Sequence, residues 1–239
     1  MALYRLASHV RIATLNDGLM FLDLRKNRYF GVGQGHGASI QAALTQGSDG
    51  RTSGEQLHDE NDRGVPQSLI DAGLLVQRTE ADPAPLPRPM PPVATDAIDF
   101  SGLEKLPPSI SLLHVLAFIR SVLVARRRFK TLSLEQLFRV LDSRNVKTVA
   151  IESCNVVAKL NDLLSIFRRL CVLTVTMRDA CVVEALALVE FASRFNIPLS
   201  LLIGVRERPF MAHCWCQYGT FVINDSRERI SQYVVIATT

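Results

Sequence analysis

The sequence predicts an α+β protein of two domains joined by a proline-rich segment. Strand-like runs dominate up to about residue 33, helical periodicity dominates from residue 109, and strand-like runs return after residue 199. Eight of the eleven prolines lie between residues 81 and 108, where they prevent a helix or a central strand from continuing. We therefore expect domains at residues 1–80 and 109–239, with residues 81–108 as a linker.

The N-terminal domain is predicted to begin with a three-stranded antiparallel meander. Its strands are Val10–Leu15, Leu19–Leu24 and Arg28–Val32, and the Asn16-Asp17-Gly18 sequence favours a tight hairpin between the first two. Helices are expected at residues 38–44 and 66–71, followed by a last strand at residues 74–78. Three strands, helices and one more strand predict a small winged-helix-like unit.

Charge and composition limit what this unit and the whole chain can bind. The first 80 residues carry 8 basic and 9 acidic side chains, which argues against DNA binding because phosphate contacts need Lys and Arg. The glycines at 31, 33, 35 and 37 do not have the spacing of a phosphate-binding loop. We therefore expect no nucleic-acid partner.

Cysteine usage and hydropathy predict a cytoplasmic protein. Five cysteines are an odd number, which argues against a disulfide framework, and the first residues lack the apolar core of a secretory signal. The most apolar stretch, Leu112–Ala125, is too short to span a bilayer and contains Arg120. We expect no membrane partner.

The C-terminal domain is predicted to place helices before an antiparallel sheet. Expected helices are Leu112–Arg127, one that begins at a Ser133/Gln136 capping box, and Leu160–Leu170. An apolar helix that begins near Cys181 follows, and strand-like runs at residues 199–205, 211–218 and 220–225 come after it.

Three side chains in this last region have the chemistry of a nucleophile relay: Cys181, His213 and Asp225. A helix N-terminus and a nearby imidazolium both favour the reactive thiolate, and Asp179 is a plausible N-cap that puts Cys181 in the first turn. A carboxylate behind the imidazole fixes its tautomer and orientation. The alternative is that Cys181 is a small buried hydrophobic residue, the commonest role of a free cysteine.

A metal site at the same place is disfavoured. Cys214 and Cys216 flank the single Trp215, but one Cys-x-Cys with one histidine is a poor zinc signature. Strand alternation instead puts His213 and Trp215 on one face, so that the indole shields the imidazole, and both cysteines on the other. We expect no metal.

The sequence of residues 110–236 resembles the transglutaminase-like cysteine protease domain of lasso peptide biosynthesis, the leader peptidase or B protein. The pieces that carry the resemblance are Cys181 before an apolar helix, Asn196-Ile-Pro-Leu-Ser-Leu-Leu-Ile-Gly-Val-Arg, Pro209-Phe-Met-Ala-His-Cys-Trp and Val222-Ile-Asn-Asp. The resemblance implies a transglutaminase/papain-like fold, in which the catalytic helix packs on an antiparallel sheet. It also implies that Cys181 is the nucleophile, His213 the general base and acid, and Asp225 the orienting carboxylate. One departure is Val182-Val-Glu-Ala185, where the family has Leu, a basic residue and Ser.

The first 80 residues resemble a PqqD-like recognition element for precursor peptides. The matching pieces are Phe21-Leu-Asp-Leu-Arg-Lys-Asn-Arg-Tyr-Phe-Gly-Val, an Ala-rich helix and Leu69-Ile-Asp-Ala-Gly-Leu-Leu. The resemblance implies that a leader peptide adds as a strand beside the third strand, against the helix near residues 67–71. The implied leader-binding residues are Arg28, Tyr29, Phe30, Gly31, Val32, Gln67, Leu69 and Ile70.

Together the resemblances imply a cysteine peptidase that binds the leader of a lasso precursor peptide and cleaves leader from core. They imply that a macrolactam synthetase acts next. Because no nucleotide site is visible in this chain, no cofactor is expected here, and any ATP dependence should come through the synthetase. Two alternatives remain: a peptide-binding chaperone with an inactive Cys domain, and a transglutaminase-like acyl transferase.

Overall fold

The structure, a computed structural model, describes residues 4–45, 66–77, 96–97, 108–145, 154–172 and 181–239. The chain divides into two compact units, residues 1–89 and 90–239. Most of the segment predicted as a linker, residues 81–108, lies outside the described residues. Two of its members, Asp96–Ala97, form the short strand β6 of the second unit.

The predicted meander of the first unit is confirmed. Strands β2 (Val10–Leu15), β3 (Gly18–Asp23) and β4 (Arg28–Gly33) form an antiparallel sheet in the order β2-β3-β4. A two-residue loop joins β2 to β3, and it requires Gly18, because a Cβ there would lie 2.0 Å from the carbonyl oxygen of Val32.

The turn between β3 and β4 is held by a buried carboxylate. Asp23 Oδ1 accepts hydrogen bonds from the backbone N–H groups of Arg25 (2.8 Å) and Lys26 (3.0 Å). Asn27 follows with φ at 51°, a conformation that Asn tolerates well. The turn therefore brings β4 back along β3 in full register.

Two helices and a second small sheet cover the meander. Helix α1 (Gln34–Thr45) begins four residues before its predicted start, and α2 (Gln67–Asp71) follows Pro66. Strand β1 (Tyr4–Leu6) pairs with β5 (Leu75–Gln77) in an antiparallel two-stranded sheet. The core between these layers consists of apolar side chains: Val10, Leu19, Phe21, Ile40, Leu69, Leu74 and Leu75.

The second unit begins with helices α3 (Leu112–Thr131), α4 (Leu134–Asn145) and α5 (Cys154–Val172), and α6 (Cys181–Ser193) follows. The capping box predicted before α4 is confirmed. The Ser133 backbone N–H donates to Gln136 Oε1 at 3.0 Å, and the Gln136 N–H donates to Ser133 Oγ at 3.3 Å. Residues 146–153, between α4 and α5, lie outside the described part.

Aromatic rings and one ion pair hold α6 against its neighbours. Phe167 of α5 lies 5.4 Å from Phe118 of α3 and 5.5 Å from Phe191 of α6, between ring centroids. Arg128 of α3 donates to the carboxylate of Glu190 on α6, whose side chain is only 5% exposed. The basic run at the end of α3 is thus not wholly exposed to solvent.

The sheet of the second unit is five-stranded, in the order β10-β7-β8-β9-β6. Strands β7 (Ser200–Arg206), β8 (Met211–Tyr218), β9 (Phe221–Val222) and β10 (Val234–Thr238) are antiparallel, and β6 pairs with β9 in parallel. A short helix, α7 (Arg227–Ile230), precedes β10. Helix α6 packs on this sheet, with the Cys216 thiol of β8 donating to the Ala185 carbonyl at 3.4 Å. The expected α+β layering, helices with an antiparallel sheet, is confirmed.

In the parts of the chain that the structure describes, no helix combines the length and the apolar character needed to cross a membrane.

Candidate active site

The three side chains of the expected relay lie together at the start of α6. Cys181 is the first residue of α6, His213 lies on β8, and Asp225 follows β9 in the connection to α7. His213 Nε2 is hydrogen-bonded to Asp225 Oδ2, and the His213 ring also forms a hydrogen bond with the Cys181 thiol. Since Nε2 faces Asp225, Nδ1 is the ring nitrogen available to Cys181. The proposed cap of α6, Asp179, lies outside the described residues.

The environment of the thiol favours its ionised form. The hydrogen bond with His213 is the main cause that lowers the pKa of Cys181, and the backbone N–H groups of Cys214 and Val182 add to it. Burial acts in the opposite direction but does not reverse the shift. A thiolate is the nucleophilic form of cysteine, so this site lowers the pH at which Cys181 can react.

The imidazole is held in its charged form. Hydrogen bonds with Asp225 first and with Cys181 second raise the pKa of His213 to about 9. Burial would raise the pKa of Asp225, yet the hydrogen bonds from His213 and from the Ser226 backbone N–H keep it below its usual value. Both shifts favour a thiolate–imidazolium pair, backed by a carboxylate, over the neutral thiol and imidazole.

The loop that carries Asp225 is tied to β8 by the two residues before it. Asn224 Oδ1 accepts from the backbone N–H of Cys216 at 2.8 Å, and the Ile223 N–H donates to the Cys216 carbonyl at 3.0 Å. Arg168 of α5 donates to the Ile223 carbonyl at 3.4 Å. The position of the carboxylate thus depends on Asn224.

Two aromatic side chains enclose the imidazole. The Trp215 ring is stacked on His213 at 6.1 Å between centroids with a 23° interplanar angle, as strand alternation predicted. Tyr233 lies 5.3 Å from His213. Gly204, the cross-strand partner of His213, leaves room for both rings, because a Cβ there would lie 2.7 Å from Trp215 and 2.8 Å from Tyr233.

One further carboxylate approaches the site. Glu184 lies one helical turn after Cys181 on α6, and burial raises its pKa, while Arg168 acts in the opposite direction. It interacts electrostatically with His213 and Asp225. Because Glu184 belongs to the stretch that departs from the leader-peptidase pattern, the acidic charge beside the relay is a property of this sequence.

The neighbouring cysteines are packed in the interior, where the neutral thiol is favoured. Cys214 and Cys216 are 2% and 0% exposed, and burial raises the pKa of both thiols. Among the described residues, no group of three or more His, Cys, Asp or Glu side chains is arranged to hold a metal ion.

The residues expected to bind a leader peptide all lie in the first unit, on β4 and α2. Strand β4 pairs with β3, and no described strand pairs with its other edge. On β4, Phe30 and Val32 pack against the core while Arg28 and Gly31 are exposed and Tyr29 is half-buried. On α2, Gln67 is exposed and donates to Asp71, Ile70 is half-buried, and Leu69 is a core residue only 6% exposed.

The second unit matches a known protein superfamily. Residues 119–238 match the transglutaminase-like superfamily. Over 60 residues the chain is 37% identical to the microcin J25-processing protein McjB of Escherichia coli, a match that covers 25% of this chain and 29% of that protein. No solved structure matches the chain.

Proposed function

The chain belongs to the transglutaminase-like superfamily, and from that premise we propose that it is a cysteine peptidase with Cys181 as its nucleophile. The superfamily generally contains cysteine proteases and acyltransferases. The observation that carries the proposal is the hydrogen-bonded row of Cys181, His213 and Asp225 at the first turn of α6.

The proposed reaction follows from the protonation states of this row. The Cys181 thiolate attacks the scissile carbonyl, and the His213 imidazolium gives its proton to the leaving amine as the peptide bond breaks. The product is a thioester on Cys181. Neutral His213 then takes a proton from water, which attacks the thioester and releases the carboxylic acid together with the free thiol. Asp225 holds the ring in one orientation through both steps.

The substrate we propose is the precursor of a lasso peptide, cut between leader and core. The partial similarity to a microcin J25-processing protein supports a role of this class, and the motif resemblance around Cys181, His213 and Asp225 supports the same assignment. A macrolactam synthetase would close the ring of the freed core. Any ATP requirement would then belong to that synthetase.

We further propose that the first unit binds the leader as an added strand beside β4. An edge strand offers backbone N–H and C=O groups that a peptide can pair with, and half-buried side chains at its surface supply pockets. Along β4, Phe30 and Val32 face the core while Tyr29 and Gly31 lie on the other face. An added strand would therefore meet side chains of β4 on both faces of the sheet. Gln67 and Ile70 of α2 would form the other wall, with Leu69 supporting it from the core.

The cleavage proposal is tested by incubating the full chain with a candidate precursor and measuring product masses. The wild type should release leader and core, and Cys181→Ala should release neither while still binding the leader. Cys216→Ala is the matched control and should cleave, since that thiol is buried under α6. A crosslinked product would instead support the acyl transferase, and an unchanged precursor that remains tightly bound would support the chaperone.

Leader binding is tested separately by fluorescence anisotropy with a labelled leader and the full chain. Because backbone pairing supplies much of the affinity in strand addition, Arg28→Ala should change it little. Proline at Tyr29 or at Phe30 should have a large effect, one on binding and the other on folding, because the backbone N–H groups of neighbouring strand residues face opposite edges. Normal binding by both folded proline variants would move the leader site away from β4.

A further inference from the structure

Helix α3 carries a stripe of large apolar side chains that point to solvent. Leu112, Leu116, Ile119 and Leu123 are 74%, 57%, 48% and 60% exposed. Their spacing of four, three and four residues puts them on one line along the helix, the spacing of a helix–helix seam. We call these four residues the α3 stripe.

The stripe is separate from the face by which α3 enters the core. Phe118, Val122 and Ala125 are buried, and Arg128 is bonded to Glu190 of α6. A surface helix of a globular protein has polar side chains opposite its buried face. Here the opposite face is apolar as well, and exposed apolar patches of this kind mark interaction sites.

Charge identifies the kind of partner. Helix α3 contains five basic residues and no acidic one. At 100° per residue, Arg120 and Arg127 both flank the stripe on the same side, and both are exposed. Neither side chain forms an ion pair within the part of the chain that the structure describes. A partner helix that brings apolar residues to the stripe and carboxylates to its flank would satisfy both features.

We propose that the α3 stripe docks an acidic amphipathic helix of a partner protein. Leu113 is also exposed (66%) and lies about 100° around the helix from Leu112, so Arg120, at about 80°, falls inside the exposed apolar arc. A helix that lies in a lipid interface instead keeps its cations on the polar face, opposite its apolar face. Helix α3 also lacks the Trp and Tyr that anchor interfacial helices. A second copy of α3 offers no carboxylate to Arg120 and Arg127. The proposal does not depend on the peptidase assignment.

The test uses two labelled synthetic helices and the full chain. Both peptides carry Leu at the two seam positions of three heptads, and one has Glu and the other Lys at the flanking positions. In fluorescence anisotropy, the Glu peptide should bind the wild type and the Lys peptide should not. Binding of the Glu peptide should weaken at least about tenfold, which is about 1.4 kcal/mol, in Ile119→Gln/Leu123→Gln. It should be unchanged in Val172→Gln, which alters an exposed apolar residue (72% exposed) on α5.

A charge variant provides an independent readout. Arg120→Glu/Arg127→Glu should no longer bind the Glu peptide and should bind the Lys peptide, because the charge beside the α3 stripe is then negative. Equal binding of both peptides by the wild type, no binding of the Glu peptide, or insensitivity to both variants would overturn the proposal. So would stripe-dependent binding to phosphatidylserine vesicles without peptide binding, which indicates a lipid surface. A dimer in sedimentation velocity that Ile119→Gln/Leu123→Gln abolishes would indicate a second copy instead.

Discussion

Replacing Gly204 with alanine tests whether the packing around His213 sets the reactivity of the site. Gly204 lies opposite His213 in the β7–β8 pair, beneath the rings of Trp215 and Tyr233. An alanine Cβ there would lie 2.7 Å from two ring carbons of Trp215 and 2.8 Å from Tyr233 Cβ. Neither contact can persist, because carbon atoms at optimal separation are about 3.5–4.0 Å apart.

The expected loss of stability and reactivity in Gly204→Ala depends on how far the two rings can move. Trp215 and Tyr233 are 2% and 9% exposed, so neither ring can move out into solvent without cost. Overpacking of such a core costs on the order of 1–3 kcal/mol. Both rings also lie beside the His213 ring, so moving them should displace the imidazole from Cys181. The rate constant for Cys181 alkylation should then fall roughly tenfold to hundredfold, since misplacing a catalytic group by about 1 Å can lower a rate about a hundredfold.

The assay measures the melting temperature and the rate of Cys181 carboxamidomethylation, followed by peptide mass spectrometry. Gly35→Ala is the control, because a Cβ at Gly35 meets no atom within 4 Å. Gly204→Ala should lower both quantities, and Gly35→Ala should lower neither. If Gly204→Ala keeps wild-type stability and reactivity, the aromatic enclosure does not position His213 and the reasoning is wrong.

Three other substitutions test the contacts around the site. Asp225→Asn should fold, but its turnover should fall roughly 10²–10⁴-fold, because an amide can hold the wrong imidazole tautomer of His213. Normal turnover in the precursor assay would show that Asp225 is not part of the relay. Asn224→Ala leaves a backbone N–H of β8 without its acceptor, which should cost about 1–3 kcal/mol and lower kcat more than it raises KM. Urea unfolding and steady-state kinetics measure both effects, and an unchanged kcat would make Asn224 a purely structural residue. Arg128→Ala removes the cation that faces the buried carboxylate of Glu190 and should destabilise on the order of 3 kcal/mol. Adding Glu190→Leu should recover much of that loss in urea unfolding, and no recovery would contradict the ion-pair explanation.

Local sequence signals predicted most elements of the fold, and non-local pairing explains those that they missed. The Asp-Gly hairpin and the Ser133 capping box are local, and both are present. Helix α1 begins at Gln34 and includes Gly35 and Gly37, which the glycine spacing alone did not indicate. Strand β6 lies among prolines and exists through its pairing with β9, more than a hundred residues further along the chain.

Residue types suggested the members of the candidate site and the family resemblance assigned their roles, but neither predicted the contacts that hold them in place. Cysteine, histidine and aspartate at the start of a helix and on neighbouring strands indicated the relay, and alternation placed Trp215 beside His213. The Asn224 bond to β8, the position of Tyr233 and the clearance over Gly204 depend on how the sheet closes. No periodicity within a single segment encodes such contacts.

The pH dependence of Cys181 alkylation in the wild type and in His213→Ala tests directly whether His213 activates the thiol. Cys171 serves as an internal control, since burial raises the pKa of its thiol to about 12. At about pH 6, well below the ordinary thiol pKa of about 8.5, Cys181 of the wild type should react with iodoacetamide faster than Cys181 of His213→Ala, while Cys171 should not react. In His213→Ala, the reaction of Cys181 should become rapid only as the pH approaches that ordinary value. If Cys181 of the wild type reacts at about pH 6 no faster than in His213→Ala, it is not an activated nucleophile, and the proposed cysteine peptidase mechanism is wrong.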